Sequence, residues 1–299
     1  MARGQKISSP HPLHFLPARS NGKWTFFSKS RIIKTNLIHK YFIFMNDELV
    51  SENYNSKNLV QMWREFIDWN KRRTGEDNFL VNQFRKYNVR KVFDASLGDG
   101  CDSIYLIKQG FDVTSNEIDK TFLSKALENA KKENLVLKII KLDWRELDSE
   151  LTEESFDAVI LLGNSLTYLF SEQAQLEALS QFKKILKNNG ILIIDERNYQ
   201  YILDNRDEIL KGNFHYSGKY VYCGDKVHGK PIEISEDKVK FEYTDEATEK
   251  KGFLILYPFK RGEMKKLLAT TGFKSIEQFS DYKNLENNNA DFYQYVCQK

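Results

Sequence analysis

Between Asn53 and Tyr87, apolar residues recur every three or four positions, which is the spacing of one face of a helix. These positions are Leu59, Met62, Trp63, Phe66, Ile67, Phe79, Leu80, Val81 and Phe84. The pattern predicts two helices in this segment, one around Trp63 and one around Phe79.

From Lys91 to Asp195, short apolar runs alternate with longer amphipathic ones. The apolar runs predict strands at 91–95, 111–116, 136–142, 156–162 and 190–195, and the amphipathic runs predict helices at 102–109, 120–134 and 172–187. The run at 156–162 is almost wholly apolar, which is typical of a central parallel strand covered on both faces. Strands alternating with helices imply right-handed crossovers, so we predict an α/β fold with a doubly wound, mostly parallel, Rossmann-like sheet.

After Tyr199 the pattern changes to runs rich in aromatic and β-branched residues, separated by turn-forming residues. These runs predict strands at 214–223, 232–235, 239–244 and 253–257. We expect them to form an antiparallel β lid or subdomain, inserted at about residues 212–258. A helix at 262–270 and strands at 273–279 and 292–297 then return to the main sheet.

Residues 1–44 lack acidic side chains and regular periodicity. They hold eight Lys or Arg and three of the chain's five prolines. We expect a disordered basic extension here, followed by one domain over 45–299. The alternatives are a targeting peptide, which would also be basic and poor in acid, and translated sequence upstream of a start at Met45.

The basic extension hides the charge of the rest of the chain. The whole chain of 299 residues has 45 basic and 42 acidic residues, but the part after residue 44 has 37 and 42, a net charge of −5. That balance gives no support to nucleic-acid binding through a basic surface. No run of about 18 apolar residues occurs, so we expect no membrane span. Cys101, Cys223 and Cys297 are scattered, without metal-site or disulfide spacing, which fits a cytoplasmic protein without a metal.

The segment 92–102 carries the first candidate chemistry. A predicted strand runs into a loop with Gly98 and Gly100, where glycines permit positive φ and let a ligand approach the backbone closely. Asp94 stands where a carboxylate could orient the loop, and Glu117 ends the next strand, where an acid can pair with ribose hydroxyls. These features predict a cofactor site, and a tight strand–helix turn without a ligand is the alternative.

A nicotinamide dinucleotide is the rival cofactor. Its fingerprint has a third small residue, Gly or Ala, three positions after the second glycine, where this chain has Ser103. Asp94 precedes Gly98 by four positions, a spacing that resembles the first motif of class I S-adenosylmethionine methyltransferases. Asp143 and Trp144, after the third strand, resemble the position that flanks adenine in those enzymes. Simple core packing is the alternative for Trp144.

Polar residues follow the two strands predicted at 156–162 and 190–195. Asn164 comes after the first and Arg197 after the second, so the two lie at the same edge of a parallel sheet. A guanidinium can hold a carboxylate with two parallel hydrogen bonds, and an amide oxygen can accept from an amine. The pair therefore predicts an amino-acid substrate. A structural ion pair of Arg197 with Asp195 or Glu196 is the alternative.

Five motifs in this chain resemble the glycine N-methyltransferase family, which includes the glycine/sarcosine methyltransferases. They are GCDSI at 100–104, GFDVTS at 110–115, FDAVI at 156–160, LGNS at 162–165 and IDERNY at 194–199. The likeness runs from about Tyr54 to Tyr282 in the same motif order. It implies N-methylation of a small amino acid, glycine or sarcosine, with S-adenosyl-L-methionine as the methyl donor, giving sarcosine or dimethylglycine and S-adenosylhomocysteine.

The resemblance also implies site residues. With the loop residues Asp94, Gly98 and Gly100, the cofactor contacts are Tyr54, Trp63, Arg73, Ala95, Glu117, Asp143, Trp144, Leu162 and Tyr168. The substrate contacts are Asn164, Arg197, Tyr222, Tyr243 and Tyr257, and aromatic packing within the inserted sheet is the alternative for the last three.

The chain departs from the family pattern at two of these positions and at one further position. Glu117 stands where the family often has Asp, and Tyr168 stands where a histidine is common. Phe66 stands where some members have a tyrosine that contacts the substrate. These departures concern the acceptor more than the cofactor.

Methyl transfer to an amine requires a free lone pair in line with the methyl group and the sulfur. No histidine lies in the motifs, so we predict no dedicated general base and catalysis mainly by positioning. The alternative functions are a methyltransferase of the same fold acting on another small-molecule acceptor, such as a larger metabolite, a nicotinamide oxidoreductase, and a cofactor-sensing module without catalysis. A monomer and a homo-oligomer both fit the sequence.

Overall fold

The computed structural model describes residues 57–214, 226–285 and 287–299. The extension expected at 1–44 and all but the first residue of the strand predicted at 214–223 lie outside these ranges. The described chain begins with three helices: α1 (Lys57–Phe66), α2 (Trp69–Glu76) and α3 (Phe79–Lys86). Two helices were predicted here. The third arises because Asp68 caps a new helix, its side chain accepting a hydrogen bond from the backbone N–H of Lys71 at 3.0 Å.

The alternation predicted for the middle of the chain is confirmed. Its elements are β1 (Lys91–Asp94), α4 (Cys101–Lys108), β2 (Asp112–Asn116), α5 (Lys120–Lys132), β3 (Lys138–Ile140), β4 (Phe156–Leu161), α6 (Glu172–Ile185) and β5 (Leu186–Arg197). Short 3₁₀ helices lie at Trp144–Ser149 and Ser165–Tyr168. Helix α6 ends two residues earlier than predicted, because Leu186 already pairs with Phe156 of β4.

The last third of the chain returns to the sheet after a small antiparallel insertion. Its elements are α7 (Tyr199–Asp204), α8 (Arg206–Leu210), β6 (Val227–Ile234), β7 (Val239–Asp245), β8 (Lys251–Leu256), α9 (Glu263–Thr270), β9 (Lys274–Ser280) and β10 (Phe292–Gln298). No helix in the described ranges is both long enough and apolar enough to cross a membrane.

The main sheet has seven strands in the order β3-β2-β1-β4-β5-β10-β9. Strand β10 runs antiparallel to both β5 and β9, and the neighbours from β3 to β5 are parallel. The strand order reverses between β1 and β4, which is where ligands bind in doubly wound sheets. Strands β6, β7 and β8 form a separate antiparallel sheet. The predicted fold class, with its antiparallel insertion, is confirmed.

Apolar layers cover both faces of the main sheet, because successive residues of β5 point to opposite sides. Leu192 and Ile194 pack in the layer that contains Phe182 of α6. Ile191 and Ile193 pack in the layer that contains Phe84 of α3. From Ile191 onward the strand is therefore buried on both sides, and this part becomes polar only at its carboxyl end, Asp195–Arg197.

The small sheet packs closely against α1. A Cβ atom at Gly252 of β8 would lie 2.9 Å from Met62 Cε and 3.0 Å from Leu59 Cβ, so only glycine permits this approach. Phe241 and Leu254 of the sheet join the same apolar cluster. This packing fixes the face of α1 that carries Trp63.

We expect Gly252→Ala to lower the free energy of unfolding by about 1–3 kcal/mol, the usual cost of overpacking. Chemical denaturation measures it. Lys230→Ala, at an exposed position of β6 in the same sheet, should change the stability by less than about 0.5 kcal/mol. Equal effects of the two substitutions would contradict the packing described for α1.

Candidate active site

A cleft with two chambers opens at the carboxyl ends of the parallel strands. The large chamber has a volume of about 230 Å³ and the small chamber about 90 Å³. Six residues line both, which shows that the chambers adjoin: Trp63, Ile67, Arg72, Gly163, Tyr168 and Leu254. The cleft lies at the switch point of the strand order, where the sequence predicted a ligand.

The large chamber contains most of the predicted cofactor residues. Those that line it are Trp63, Ala95, Gly98, Glu117, Asp143, Trp144, Leu162 and Tyr168. The loop after β1 forms its floor, and Gly98 and Gly100 adopt positive φ of 54° and 86° there. Tyr54 lies outside the described residues.

Asp94 and Gly100 shape this loop without lining the chamber. Asp94 accepts hydrogen bonds from the Ser96 backbone N–H at 3.1 Å and from Ser103 Oγ at 2.6 Å. Burial raises the pKa of Asp94 to about 7. Ser103 thus holds the loop through its hydroxyl, which a Gly or Ala of the nicotinamide fingerprint would lack. Gly100 packs on α5, where an added Cβ would lie 3.1 Å from Ala126 Cβ.

Glu117 connects the end of β2 to the glycine loop. Its Oε2 accepts from the Gly98 backbone N–H at 2.9 Å and its Oε1 from the Asp119 backbone N–H at 2.8 Å. Burial raises the pKa of Glu117 to about 7, against the effect of these hydrogen bonds. Each carboxylate oxygen keeps a lone pair for a further donor, so the group can accept from two neighbouring hydroxyls of a ligand.

Asp143 and Trp144 form the wall after β3. Burial works to raise the pKa of Asp143, but hydrogen bonds from Arg145, at 2.8 Å from Nε and 2.6 Å from Nη2, leave it lowered. The Trp144 indole N–H donates to the Ala95 carbonyl oxygen at 2.7 Å, while its ring packs against Phe182 and lines the chamber. Trp144 therefore serves both the core and the chamber wall.

Two adjacent arginines of α2 take different positions. Arg73 binds Asp102 at 2.5 Å and Glu76 at 2.6 Å, and it does not line either chamber. Arg72 lines both chambers and bonds Glu76 through Nε at 2.6 Å. Successive side chains of a helix differ by about 100°, so the two arginines face different directions. The structure places Arg72, in place of Arg73, on the chamber wall.

Trp69 is a wall residue that the motifs did not indicate. Its indole nitrogen is buried and has no hydrogen-bond partner within the described ranges. Trp69 lines the large chamber, and the Arg72 guanidinium lies 4.9 Å from its ring centroid. A buried donor without a partner is costly, and an acceptor on a bound ligand would relieve that cost. The large chamber thus offers a ligand with a flat ring the hydrogen-bond donor of Trp69, the cation of Arg72 and the carboxylate of Glu117.

The small chamber brings Asn164 and Arg197 together as predicted. Asn164 Oδ1 accepts a hydrogen bond from the Arg197 backbone N–H at 3.0 Å, and its Nδ2 donates to the Tyr199 hydroxyl at 2.6 Å. Both residues line the chamber. One lone pair of Oδ1 remains for a donor on a ligand.

The acids beside Arg197 have partners of their own. Asp195 accepts from the backbone N–H groups of Gly163 at 3.1 Å and Asn164 at 2.6 Å. Glu196 points to the other face of β5, where burial raises its pKa to about 8 against a hydrogen bond with Tyr295. The Arg197 guanidinium lies over the rings of Phe292 and Phe241, at 4.8 and 5.3 Å.

The three tyrosines predicted as substrate contacts in the inserted sheet do not share one environment. Tyr243 lines the small chamber and packs edge-on against Phe66 at 4.9 Å, so it has both the predicted place and the packing role. Tyr257 lines neither chamber, and its hydroxyl donates to Glu263 at 2.6 Å. The structure therefore does not bring Tyr257 to the site. Tyr222 lies outside the described residues.

Comparisons with known proteins agree with this geometry. A family described as a methyltransferase domain matches residues 92–190. The chain is 35% identical over 251 residues to a glycine/sarcosine N-methyltransferase of Aphanothece halophytica, covering 83% of this chain and 91% of the relative. It is also 35% identical over 245 residues to one of Parasynechococcus marenigrum, covering 81% and 83%.

A solved structure supports the fold alone. An S-adenosylmethionine-dependent methyltransferase from Clostridium acetobutylicum superposes with a TM-score of 0.62 at 17% identity, covering 80% of this chain and 95% of that one. The sequence matches carry more, because they extend over most of both sequences at 35% identity. The chain belongs to the glycine/sarcosine N-methyltransferase family.

Proposed function

We propose that this chain transfers the methyl group of S-adenosyl-L-methionine to the amino nitrogen of glycine or sarcosine. The bond from the methyl carbon to sulfur breaks as the bond to nitrogen forms, and the products are sarcosine or dimethylglycine, S-adenosylhomocysteine and a proton, which leaves to water. One observation carries the proposal: Asn164 and Arg197, joined by a hydrogen bond of 3.0 Å, line a small chamber that adjoins the glycine-loop chamber.

The large chamber is the place for the methyl donor. Glu117 accepts hydrogen bonds from the ribose hydroxyls, and Asp143 with the Trp144 ring flanks the adenine. Arg72 and the indole N–H of Trp69 supply a cation and a donor for the carboxylate of the methionine part. Each assignment uses a group that lines the chamber.

The small chamber is the place for the acceptor. The Arg197 guanidinium holds its carboxylate, and the spare lone pair of Asn164 Oδ1 accepts from its amino group. Apolar side chains form much of the remaining wall: Trp63, Phe66, Ile67, Leu254, Leu256 and Phe292. A volume of about 90 Å³, against 230 Å³ next door, favours a small amino acid over a larger metabolite.

Catalysis then depends mainly on placement. Holding two reactants in line removes entropy from the reaction step and contributes about 7–11 kcal/mol when the geometry is correct. The positive charge on sulfur disappears as the methyl group moves, so an apolar, water-poor chamber also favours the transfer. Trp63 and Tyr168 line both chambers and stand where the two reactants meet.

Mass spectrometry of products tests the proposed activity. The purified chain is incubated with S-adenosyl-L-methionine carrying a labelled methyl group and, separately, with glycine, sarcosine or dimethylglycine. We expect label in the products of glycine or sarcosine. No label in any of the three products, with labelling of a larger amine instead, would reject the proposed acceptor.

We expect Arg197→Lys to lower kcat/KM for glycine by about 100-fold or more, because a lysine cannot replace a two-pronged contact with a carboxylate. Affinity for S-adenosyl-L-methionine, measured by calorimetry, should stay near that of the unmodified chain. Arg206→Lys, on the exposed side of α8, is the matched control. Unchanged turnover in Arg197→Lys would show that the guanidinium does not hold the substrate.

We expect the affinity for S-adenosyl-L-methionine to fall as the pH is lowered through about 7, which is the raised pKa of Glu117. Below that pH the carboxyl is protonated and loses acceptor capacity, so affinity drops up to about 10-fold per pH unit. Glu117→Gln should bind weakly at pH 8 and lose this dependence, while Glu128→Gln, on the exposed side of α5, keeps it. The same pH dependence in Glu117→Gln would assign it to another group.

A further inference from the structure

Two polar residues that line the small chamber, Asp195 and Tyr282, have no role in the proposed function. Asp195 and Arg197 both line the chamber and stand two residues apart on β5. Their side chains leave the same face of the strand, roughly 6.6 Å apart at the backbone. A carboxylate and a guanidinium thus face one small space, as the two ends of an amino acid require.

Tyr282 joins this group from the turn after β9. Gln294 of β10 lies directly opposite Asp195 in the strand register. Its side-chain oxygen accepts a hydrogen bond from the Tyr282 backbone N–H at 2.7 Å. Side chains directly opposite each other on neighbouring strands lie about 5 Å apart, so this bond holds Tyr282 beside Asp195. Tyr282 also lines the small chamber.

The backbone at Tyr282 is strained. Asp281 and Tyr282 have positive φ of 51° and 63°, which is unfavourable for residues with a side chain. Backbone N–H groups at the start of β10 hold this turn in place, since Asp281 Oδ1 accepts from Phe292 at 2.9 Å and from Asp291 at 3.1 Å. These hydrogen bonds keep the turn in an unfavourable conformation. Such strained conformations often serve to position a functional side chain, here that of Tyr282.

The Tyr282 ring is fixed but its hydroxyl is available. The ring packs against Phe79 at 5.5 Å between centroids. Within the described ranges, the hydroxyl makes no hydrogen bond. Burial and the nearby carboxylates of Glu76, Asp195 and Asp102 keep the pKa of Tyr282 well above its usual value, against the effect of Arg72. The phenol therefore stays neutral, with oxygen lone pairs for a donor.

Asp195 supplies the negative charge. Burial raises the pKa of its carboxyl to about 6, while Arg72 and the two backbone N–H groups oppose that rise. At neutral pH the group is mostly ionised. Its two backbone hydrogen bonds occupy only part of the acceptor capacity of a carboxylate, which has about four lone-pair sites.

We propose that Asp195 and Tyr282 bind the amino group of the acceptor, opposite the carboxylate anchor at Arg197. The assignment rests on the proposed function and orients the acceptor within it. The amino acid binds as its ammonium form, whose three N–H groups donate to Asn164 Oδ1, the Asp195 carboxylate and the Tyr282 phenol oxygen. One proton then leaves to water, and the freed lone pair of the nitrogen forms the new bond to the methyl carbon as the bond from that carbon to sulfur breaks. A hydroxyl on a strained turn then becomes a determinant of acceptor binding.

Tyr282→Phe tests the assignment by comparing two small ligands. Glycine has an amino group, and acetate has the same carboxylate without one. We expect KM for glycine, or kcat/KM, to worsen roughly 10- to 100-fold, as for loss of a hydrogen bond to a charged group. The inhibition constant of acetate and the affinity for S-adenosyl-L-methionine should stay within about 2-fold.

Tyr293→Phe is the matched control, because its hydroxyl donates to the Asn288 carbonyl oxygen at 3.3 Å, away from both chambers. It should leave glycine kinetics unchanged. Unchanged glycine kinetics in Tyr282→Phe would overturn the assignment. An equal loss for glycine and acetate would overturn it too, since the hydroxyl would then serve the carboxylate.

Asp195→Asn gives an independent check, because it should change glycine binding and acetate binding in different directions. Removing the negative charge should weaken glycine binding at least 10-fold. Acetate should bind equally well or more tightly, because its carboxylate no longer meets a like charge. Weaker acetate with unchanged glycine would contradict the assignment. If the affinity of Asp195→Asn for S-adenosyl-L-methionine also falls, the substitution has disturbed the backbone at Gly163, which Asp195 holds. The result for Tyr282→Phe then tests the assignment.

These outcomes are separate from those of the proposed function. Failure of the unmodified chain to methylate glycine or sarcosine rejects the activity itself. A normally active chain whose glycine kinetics ignore Tyr282→Phe rejects only the amino-group site.

Discussion

The hydrogen bond from the Arg197 backbone N–H to Asn164 Oδ1 joins the carboxyl ends of β4 and β5, and the small chamber depends on it. Asp195 reinforces the same junction by accepting from the backbone N–H groups of Gly163 and Asn164. Asn164 adopts a left-handed φ of 62° there, which its short amide side chain tolerates. The groups that hold the two strand tips together, Asn164, Asp195 and Arg197, also line the small chamber proposed for the acceptor.

A second set of charges connects the first helices to the glycine loop. Glu76 of α2 binds Arg72 and Arg73, and Arg73 binds Asp102 in the first turn of α4. These side chains are largely buried, so losing one partner would leave an uncompensated charge. The network positions Arg72 at the joint between the chambers, where its charge also acts on Tyr282 and Asp195. The two chambers thus share one cation.

The sequence predicted the fold well because alternating periodicity and strand-end chemistry are local signals. Glu117, Asn164 and Arg197 each follow a strand, and parallel strands bring such ends to one edge. The sequence did not place Arg72 and Trp69 on the chamber wall. A motif indicates a segment of the chain, whereas the rotation of the helix about its axis decides which of its side chains faces a cavity. The sequence did not bring Tyr282 and Asp195 together in one chamber, because their meeting depends on the β5–β10 register and a strained turn. Tyr257 could not be judged, since the sequence does not show that its hydroxyl reaches Glu263.

The central claim is that two strand tips and one turn grip a small amino acid beside the glycine loop. A crystal structure of the chain with S-adenosylhomocysteine and glycine tests this claim most directly. The account predicts the glycine carboxylate within hydrogen-bond distance of the Arg197 guanidinium, and the nitrogen directed toward the sulfur of the product. Glycine bound elsewhere, or with its carboxylate away from Arg197 while the large chamber holds the product, would contradict it.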